Sequence, residues 1–246
     1  MTRSCIICEG QTDFVLLQYL MEKVYGWEDR PAEFKSASCF KATENKTRSF
    51  FKGDGILTIT ETGGVPGIIN RLVDLIKYNV SVTNEGLYSK IVIFTDNDEA
   101  GTKEEWRHKI KEKLEEKGGL LKEVNNDEFE CKMTNSSDSE IEFFVYLVVI
   151  PSGEYGAIES FLLTSLKQKD EYDGKIIDKV DTFVDHIDEE KRYLSHRCLY
   201  EKAKFDVYFS IRTPREAFGQ RRDILRDVPW EKYVDMRNEL AVFGEL

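Results

Sequence analysis

SCIICEGQTD, residues 4–13, carries the end of a strand, a turn and the start of a helix in one short stretch. Ser4 to Cys8 is a brief apolar run of the kind a buried strand needs. Glu9 and Gly10 end it. From Thr12 to Val24, Phe14, Leu17, Met21 and Val24 fall on one helical face, with Thr12 placed to cap the helix. Cys5 and Cys8 spell C-x-x-C, but strand side chains alternate, so residues three apart point to opposite faces. They are predicted to be core thiols and not a zinc or disulfide pair.

The same strand–turn–helix pattern recurs along the chain. ILTIT at 56–60 is strand-like, Gly63-Gly64 turns the chain, and Pro66 starts a helix that turns Ile68, Ile69, Leu72, Val73 and Ile76 inward. The Gly63–Gly67 segment lacks the lysine of a P-loop and reads as an ordinary strand-to-helix connection. KIVIFT at 90–95 is a third strand, ending at Asp96. After Gly101 a charged helix carries Trp106, Ile110 and Leu114 as a narrow apolar stripe, with Glu105 and Lys109 as an i,i+4 pair on its wet side. Residues 120–142 read as a loop or marginal hairpin with a turn at NSSDS, 135–139. FFVYLVVI at 143–150 is almost continuously apolar, as a strand covered on both faces should be.

This alternation predicts an α/β chain: a doubly wound, mostly parallel sheet with a four-strand core and right-handed crossovers. Residues 26–55 interrupt it with an aromatic, basic insertion. Beyond 157 the spacing of Ile158, Phe161, Leu162, Ile176, Ile177, Val180, Phe183 and Val184 is helical, and Thr213-Pro214-Arg215-Glu216 forms a capping box. The expected organisation is a core over 1–165 and a helical extension over 166–246 packed upon it.

Composition narrows the function classes. No stretch approaches the ~18–20 consecutive apolar residues a membrane span needs, so no membrane role is expected. The apolar N-terminal run turns acidic at once, with no small-residue cleavage site, so it reads as a strand and not a signal peptide. Five cysteines without framework spacing suit a reducing, cytoplasmic setting. The net charge of −11 offers no general phosphate-binding face, so a nucleic-acid partner would be met only locally, through metal or a basic patch. His108, His186 and His196 have no metal spacing, and no G-x-S-x-G nucleophile elbow occurs.

In open α/β sheets ligands bind beyond the carboxyl ends of the strands. Glu9 ends the first strand here, with Asp13 one helical turn on. Asp96 and Asp98 follow the third, and Glu159 follows the fourth. Carboxylates gathered at strand tips disfavour one another unless a cation neutralises them, and hard cations such as Mg²⁺ or Mn²⁺ prefer carboxylate oxygens. Glu9, Asp96 and Asp98 are therefore the candidate metal ligands.

E-G-x-T-D at Glu9–Asp13, followed by D-x-D-x-x-G at Asp96–Gly101, resembles the signature of the TOPRIM domain. That domain occurs in topoisomerases, bacterial primases, small ribosomal-RNA maturases and the OLD-family nucleases. The resemblance spans roughly residues 1–165, and GEYGAIESFLL at 153–163 looks like the OLD and maturase branch. It implies Mg²⁺-dependent phosphoryl transfer on nucleic acid, a nuclease above all, with Glu9, Asp96 and Asp98 catalytic and Asp13 and Glu159 as further carboxylates for a second ion. The chain has no Walker motif, no zinc-binding cysteine set and no assignable topoisomerase tyrosine.

Cationic help is expected from Lys41, Lys46, Arg48 and Lys52 in the insertion, and from Arg212, Arg215, Arg221 and Arg222 near the late capped helix. Phe50 and Phe51 would stack bases, or be core. Two other readings compete: a non-catalytic TOPRIM-like module that binds nucleic acid or a protein partner, and a phosphatase using Asp96 as nucleophile.

Overall fold

The structure is a computed structural model that describes residues 2–29, 37–40, 47–83, 86–153, 155–214, 225 and 228–246. The chain divides into two compact units. One comprises residues 1–95, 101–149 and 242–246, the other residues 96–100 and 150–241.

At the centre of the first unit, β1 (Arg3–Cys8) pairs in parallel with β4 (Gly55–Glu61) on one side and β5 (Tyr88–Asp96) on the other. These three strands are buried along most of their length, as strands covered on both faces are. Cys5 and Ile7 face a core with Ile68, Leu72, Leu75, Trp106, Ile110 and Leu114, while the intervening Ile6 and Cys8 are equally buried outside that cluster. The two cysteines thus point opposite ways, as their spacing predicts, and both are free thiols.

The sheet is larger and more mixed than a four-strand parallel core. Among the described residues it has eight strands, β2 (Glu28–Asp29), β3 (Thr47–Lys52), β6 (Leu120–Asn125), β7 (Glu128–Thr134) and β8 (Glu140–Ile150) joining the three above, in the order β2-β3-β4-β1-β5-β8-β7-β6. Both flanks are antiparallel: β2 with β3 and β3 with β4 on one, β6 with β7 and β7 with β8 on the other. Part of the insertion at 26–55 is therefore sheet edge. The segment from 120 to 134, expected as loop or marginal hairpin, is a hairpin whose Phe129, Cys131 and Met133 alternate inward. The turn that follows is tied by Asn135, whose Oδ1 accepts from the Ser137 and Ser139 amides at 2.9 and 3.0 Å.

The α-helices of the first unit begin where glycine lets the chain turn. α1 (Gln11–Lys23) starts one residue before the expected cap: Gly10 is the N-cap, its carbonyl accepting from Phe14 N at 3.1 Å, and Thr12 is buried inside the first turn. α2 (Val65–Ser81) starts after Gly64, which holds φ 123°, a conformation glycine adopts without a Cβ clash. At Gly67 a Cβ would lie 2.4 Å from the Thr62 carbonyl, so only glycine allows that close approach. α3 (Thr102–Glu116) buries Trp106, Ile110 and Leu114, and Lys109 pairs with Glu105 at 3.6 Å.

In the second unit α4 (Ile158–Lys169), α5 (Glu171–Ile187) and α6 (Arg197–Arg212) pack on one another through Leu162, Leu166, Ile177, Val180, Val184, Phe205 and Phe209. Phe183, expected inward, is 51% exposed, because the buried stripe of α5 runs through Ile177, Val180 and Val184. Asp170 caps α5 by accepting from the Tyr172 and Asp173 amides at 2.8 and 3.0 Å. Thr213 closes α6, its hydroxyl bonded to the Phe209 carbonyl at 2.9 Å. The helix expected to start at the Thr213–Glu216 capping box runs into residues from 215 on, which lie outside the described residues. Among the described residues no helix is long and apolar enough to cross a membrane.

Candidate functional site

In the first unit the register decides what stands at the strand ends. Cys8 lies level with Glu61 of β4 and with Phe94 of β5, so Glu9 leaves β1 beside Thr95. The Thr95 hydroxyl lies 3.5 Å from Glu9 Oε2, and the Glu9 carbonyl accepts from Gly63 N at 3.0 Å, which anchors the turn after β4. Glu9 is half-buried.

Asp13 is 3% exposed, and its Oδ2 accepts from the Gly10 amide at 2.8 Å. That is the reciprocal bond of a capping box, made by the third residue of the helix. The carboxylate also offsets the positive end of α1.

Glu61 is a third carboxylate here that sequence reasoning passed over. It ends β4 as directly as Glu9 follows β1, and it is 7% exposed. Burial pushes the Cys8 thiol well above its ordinary value, and the nearby Asp13 and Glu61 charges add to it. The signal was available, since Glu61 follows ILTIT as Asp96 follows KIVIFT.

In the second unit Asp96 Oδ1 accepts from the backbone amide of Ile158, the first residue of α4, at 2.9 Å. Asn97 fixes the same corner. Its amide donates to the Ile150 carbonyl at 2.7 Å, its carbonyl accepts from Gly156 N at 2.8 Å, and its side-chain nitrogen reaches the Pro151 carbonyl at 3.0 Å. Glu159 sits in the first turn of α4 and is 2% exposed, so the helix dipole favours its charge. Asp98 is exposed. Arg197, the first residue of α6, reaches the Asp98 carbonyl at 3.5 Å and borders a ≈ 20 Å³ hollow with Asp98, Cys198 and Glu201. It too was missed, since nothing local in sequence relates position 197 to position 98.

The expected nucleic-acid cations divide sharply. Lys41, Lys46, Arg215, Arg221 and Arg222 lie outside the described residues. Arg48 is engaged inside the fold: its Nε donates to Asp29 Oδ1 at 3.1 Å, a second arm pairs with Asp29 Oδ2, and Nη1 donates to Gln18 Oε1 at 2.6 Å. Arg212 donates to Asp173 at 2.6 Å and to the Tyr208 hydroxyl at 2.7 Å. Both arginines tie elements together, which removes the ready charge a phosphate would need. Lys52 is exposed at the end of β3, while Phe50 is wholly buried and core.

The donor set at the strand tips is all carboxylate, which suits a hard cation. Among the described residues, no group of three or more His, Cys, Asp or Glu side chains is arranged to hold a metal ion.

No curated protein sequence matches the chain. The structure is similar to the crystal structure of a hypothetical protein from Pyrococcus horikoshii OT3, with a TM-score of 0.50 and 17% identity, over 100% of this chain and 99% of that one. That likeness is one of fold, and it agrees with a mixed α/β architecture. A family model described as "Protein of unknown function (DUF3226)" matches residues 3–240, nearly the whole length, and the chain belongs to that family.

Proposed function

We propose that the chain is a divalent-metal-dependent phosphodiester hydrolase acting on nucleic acid, a Mg²⁺-dependent nuclease of TOPRIM type. Glu9, Asp96 and Asp98 would be its central carboxylates, with Asp13 and Glu159 as auxiliaries. The observation that carries this reading is the strand register. Cys8 pairs level with Glu61 of β4 and Phe94 of β5, so the acidic residues that end or follow three neighbouring parallel strands leave the sheet at its carboxyl edge.

Mg²⁺ often binds through only one or two carboxylates, with waters and substrate phosphates completing its shell. A pair of strand-tip carboxylates is therefore enough. When bound, the ion would supply Lewis-acid stabilisation of charge developing on the phosphoryl oxygens. Glu9, steadied by the Thr95 hydroxyl, would take the proton from the attacking water as general base. Arg197 would hold a phosphate oxygen by a charge-assisted bond, in place of Arg48 and Arg212.

A second reading, a non-catalytic module that binds nucleic acid or protein, also has a specific observation in its favour. Asp13 and Asp96 each accept a backbone amide at a helix start, a structural task that needs no metal.

Thermal melting with Mg²⁺ tests the metal claim. A ligand that binds only the folded state at ~100 times its Kd stabilises by about 2.7 kcal/mol. The wild-type Tm should rise with Mg²⁺, and that of Asp96→Asn/Asp98→Asn should not. An equal rise in both would overturn the assignment.

A further inference from the structure

A second cavity, of ≈ 430 Å³, opens in the helical unit. This lies within the ~300–1,000 Å³ of small-molecule sites. Pro151 and Phe161 supply apolar wall, Ser165 and Gln168 continue it along α4, and Asp235 and Glu239 come from the short helix Val234–Glu239. Among the described residues the lining contains no Lys, Arg or His.

Asp235 and Glu239 are four residues apart, so they share one face of their helix. Glu239 Oε1 accepts the Ser152 hydroxyl at 2.6 Å, which fixes that carboxylate. Ser165 is an independent pointer to a ligand. It is 3% exposed, it lines the cavity, and its hydroxyl has no hydrogen-bond partner among the described residues. Helical hydroxyls commonly return to the carbonyl four residues back. Thr182 and Ser210 do so here, at 2.9 and 2.7 Å, and Ser165 does not. A hydroxyl on the cavity wall that no described protein group bonds is available to a hydrogen-bond donor entering the cavity.

We propose that this cavity binds a protonated alkylamine, either a free diamine or the end of a lysine side chain. The ammonium group meets Asp235 and Glu239 and donates to the Ser165 hydroxyl, and its aliphatic stem lies on Phe161 and Pro151. Anions are disfavoured by two carboxylates with no cation in the described lining. A bare metal ion would make no use of the apolar wall. This site is independent of the strand-tip carboxylates.

The test is calorimetric titration of the full chain with 1,4-diaminobutane, with Nα-acetyl-lysine methylamide, and with 1,4-butanediol as the neutral control. Saturable binding of at least one amine, weakened by salt and absent with the diol, is expected, and the tighter amine identifies the source. Asp235→Asn/Glu239→Gln should weaken it about tenfold, taking ~0.7 kcal/mol for each partly exposed carboxylate. Ser165→Leu, which fills the cavity without touching charge, should abolish binding, with circular dichroism confirming the fold. Should that variant not fold, Ser165→Ala serves, with an expected loss of about threefold. No saturation by ~10 mM, which corresponds to a Kd too weak for a built site, would overturn the proposal. So would equal affinity in the charge-neutralised variant.

Discussion

Asp96 Oδ1 and the backbone amide of Ile158 are joined by a 2.9 Å hydrogen bond across 62 positions of sequence, from the last residue of β5 to the first of α4. The carboxylate proposed as a metal ligand is therefore also a helix cap, and the two tasks can be separated by substitution. Asparagine keeps a side-chain oxygen for Ile158 and loses the charge. Alanine loses both. In urea unfolding without metal, Asp96→Ala should cost about 1 kcal/mol and Asp96→Asn only a few tenths. Both should lose any Mg²⁺ response.

Arg212 and Arg197 should behave as opposites. Arg212→Ala removes the bond to Asp173 that ties α6 to α5 and the bond to Tyr208 within α6, and is expected to cost about 1–3 kcal/mol of stability. Its effect on phosphodiester cleavage should be small. Arg197→Ala should leave the unfolding midpoint nearly unchanged and reduce cleavage about tenfold or more, as loss of one charge-assisted phosphate contact would. Denaturation curves and single-turnover rates on the same preparations check both.

Asn79 is buried, and its side chain donates to the Tyr88 carbonyl at 3.0 Å and accepts from the Tyr88 amide at 2.9 Å. It thereby satisfies both backbone groups at the start of β5 from α2. Asn79→Ala leaves that amide and carbonyl buried without partners and should cost about 2–4 kcal/mol. Equilibrium unfolding in urea measures it.

Glu201 makes a pH-dependent contribution. Burial raises its carboxyl from the usual 4.5, Lys204 and Arg197 pull it down, and Asp181 and Asp185 push it up again. With the folded value raised, the folded state holds the proton more tightly than the unfolded one. The stabilising contribution is complete below the unfolded value and is lost as pH rises through the folded value. Glu201→Gln should therefore stabilise the protein at about pH 7 and lose that advantage near pH 4. Melting temperatures across that range, for wild type and variant, check the sign.

The parallel centre of the sheet was legible because its strands are buried on both faces. CIIC, ILTIT and KIVIFT are apolar at most positions, and each is followed directly by an acidic residue. The flanks were not. β6 (LLKEVN) lies at a sheet edge with its side chains mostly exposed, so it carries no inward pattern. β3 buries only Phe50 completely within an insertion rich in charge. β7 did carry a period-two signal, Phe129, Cys131 and Met133, but it is interleaved with charge and reads easily as loop. Of the site residues, the strand-tip carboxylates follow from local pattern alone. The capping of α4 by Asp96, the nearness of Arg197 to Asp98, and the internal pairing of Arg48 and Arg212 all depend on long-range placement, which spacing cannot encode.

Cleavage of nucleic acid under defined metal conditions tests the central claim most directly. Purified protein would be incubated with single- and double-stranded DNA and RNA in Mg²⁺, in Mn²⁺ and in chelator, beside Glu9→Gln and Asp96→Asn prepared identically. Expected is cleavage of at least one substrate that requires the cation and falls by about 10²-fold or more in each variant, the scale of losing a general base or an essential charge. Absence of cleavage under every condition, or cleavage undiminished in Asp96→Asn, would contradict it.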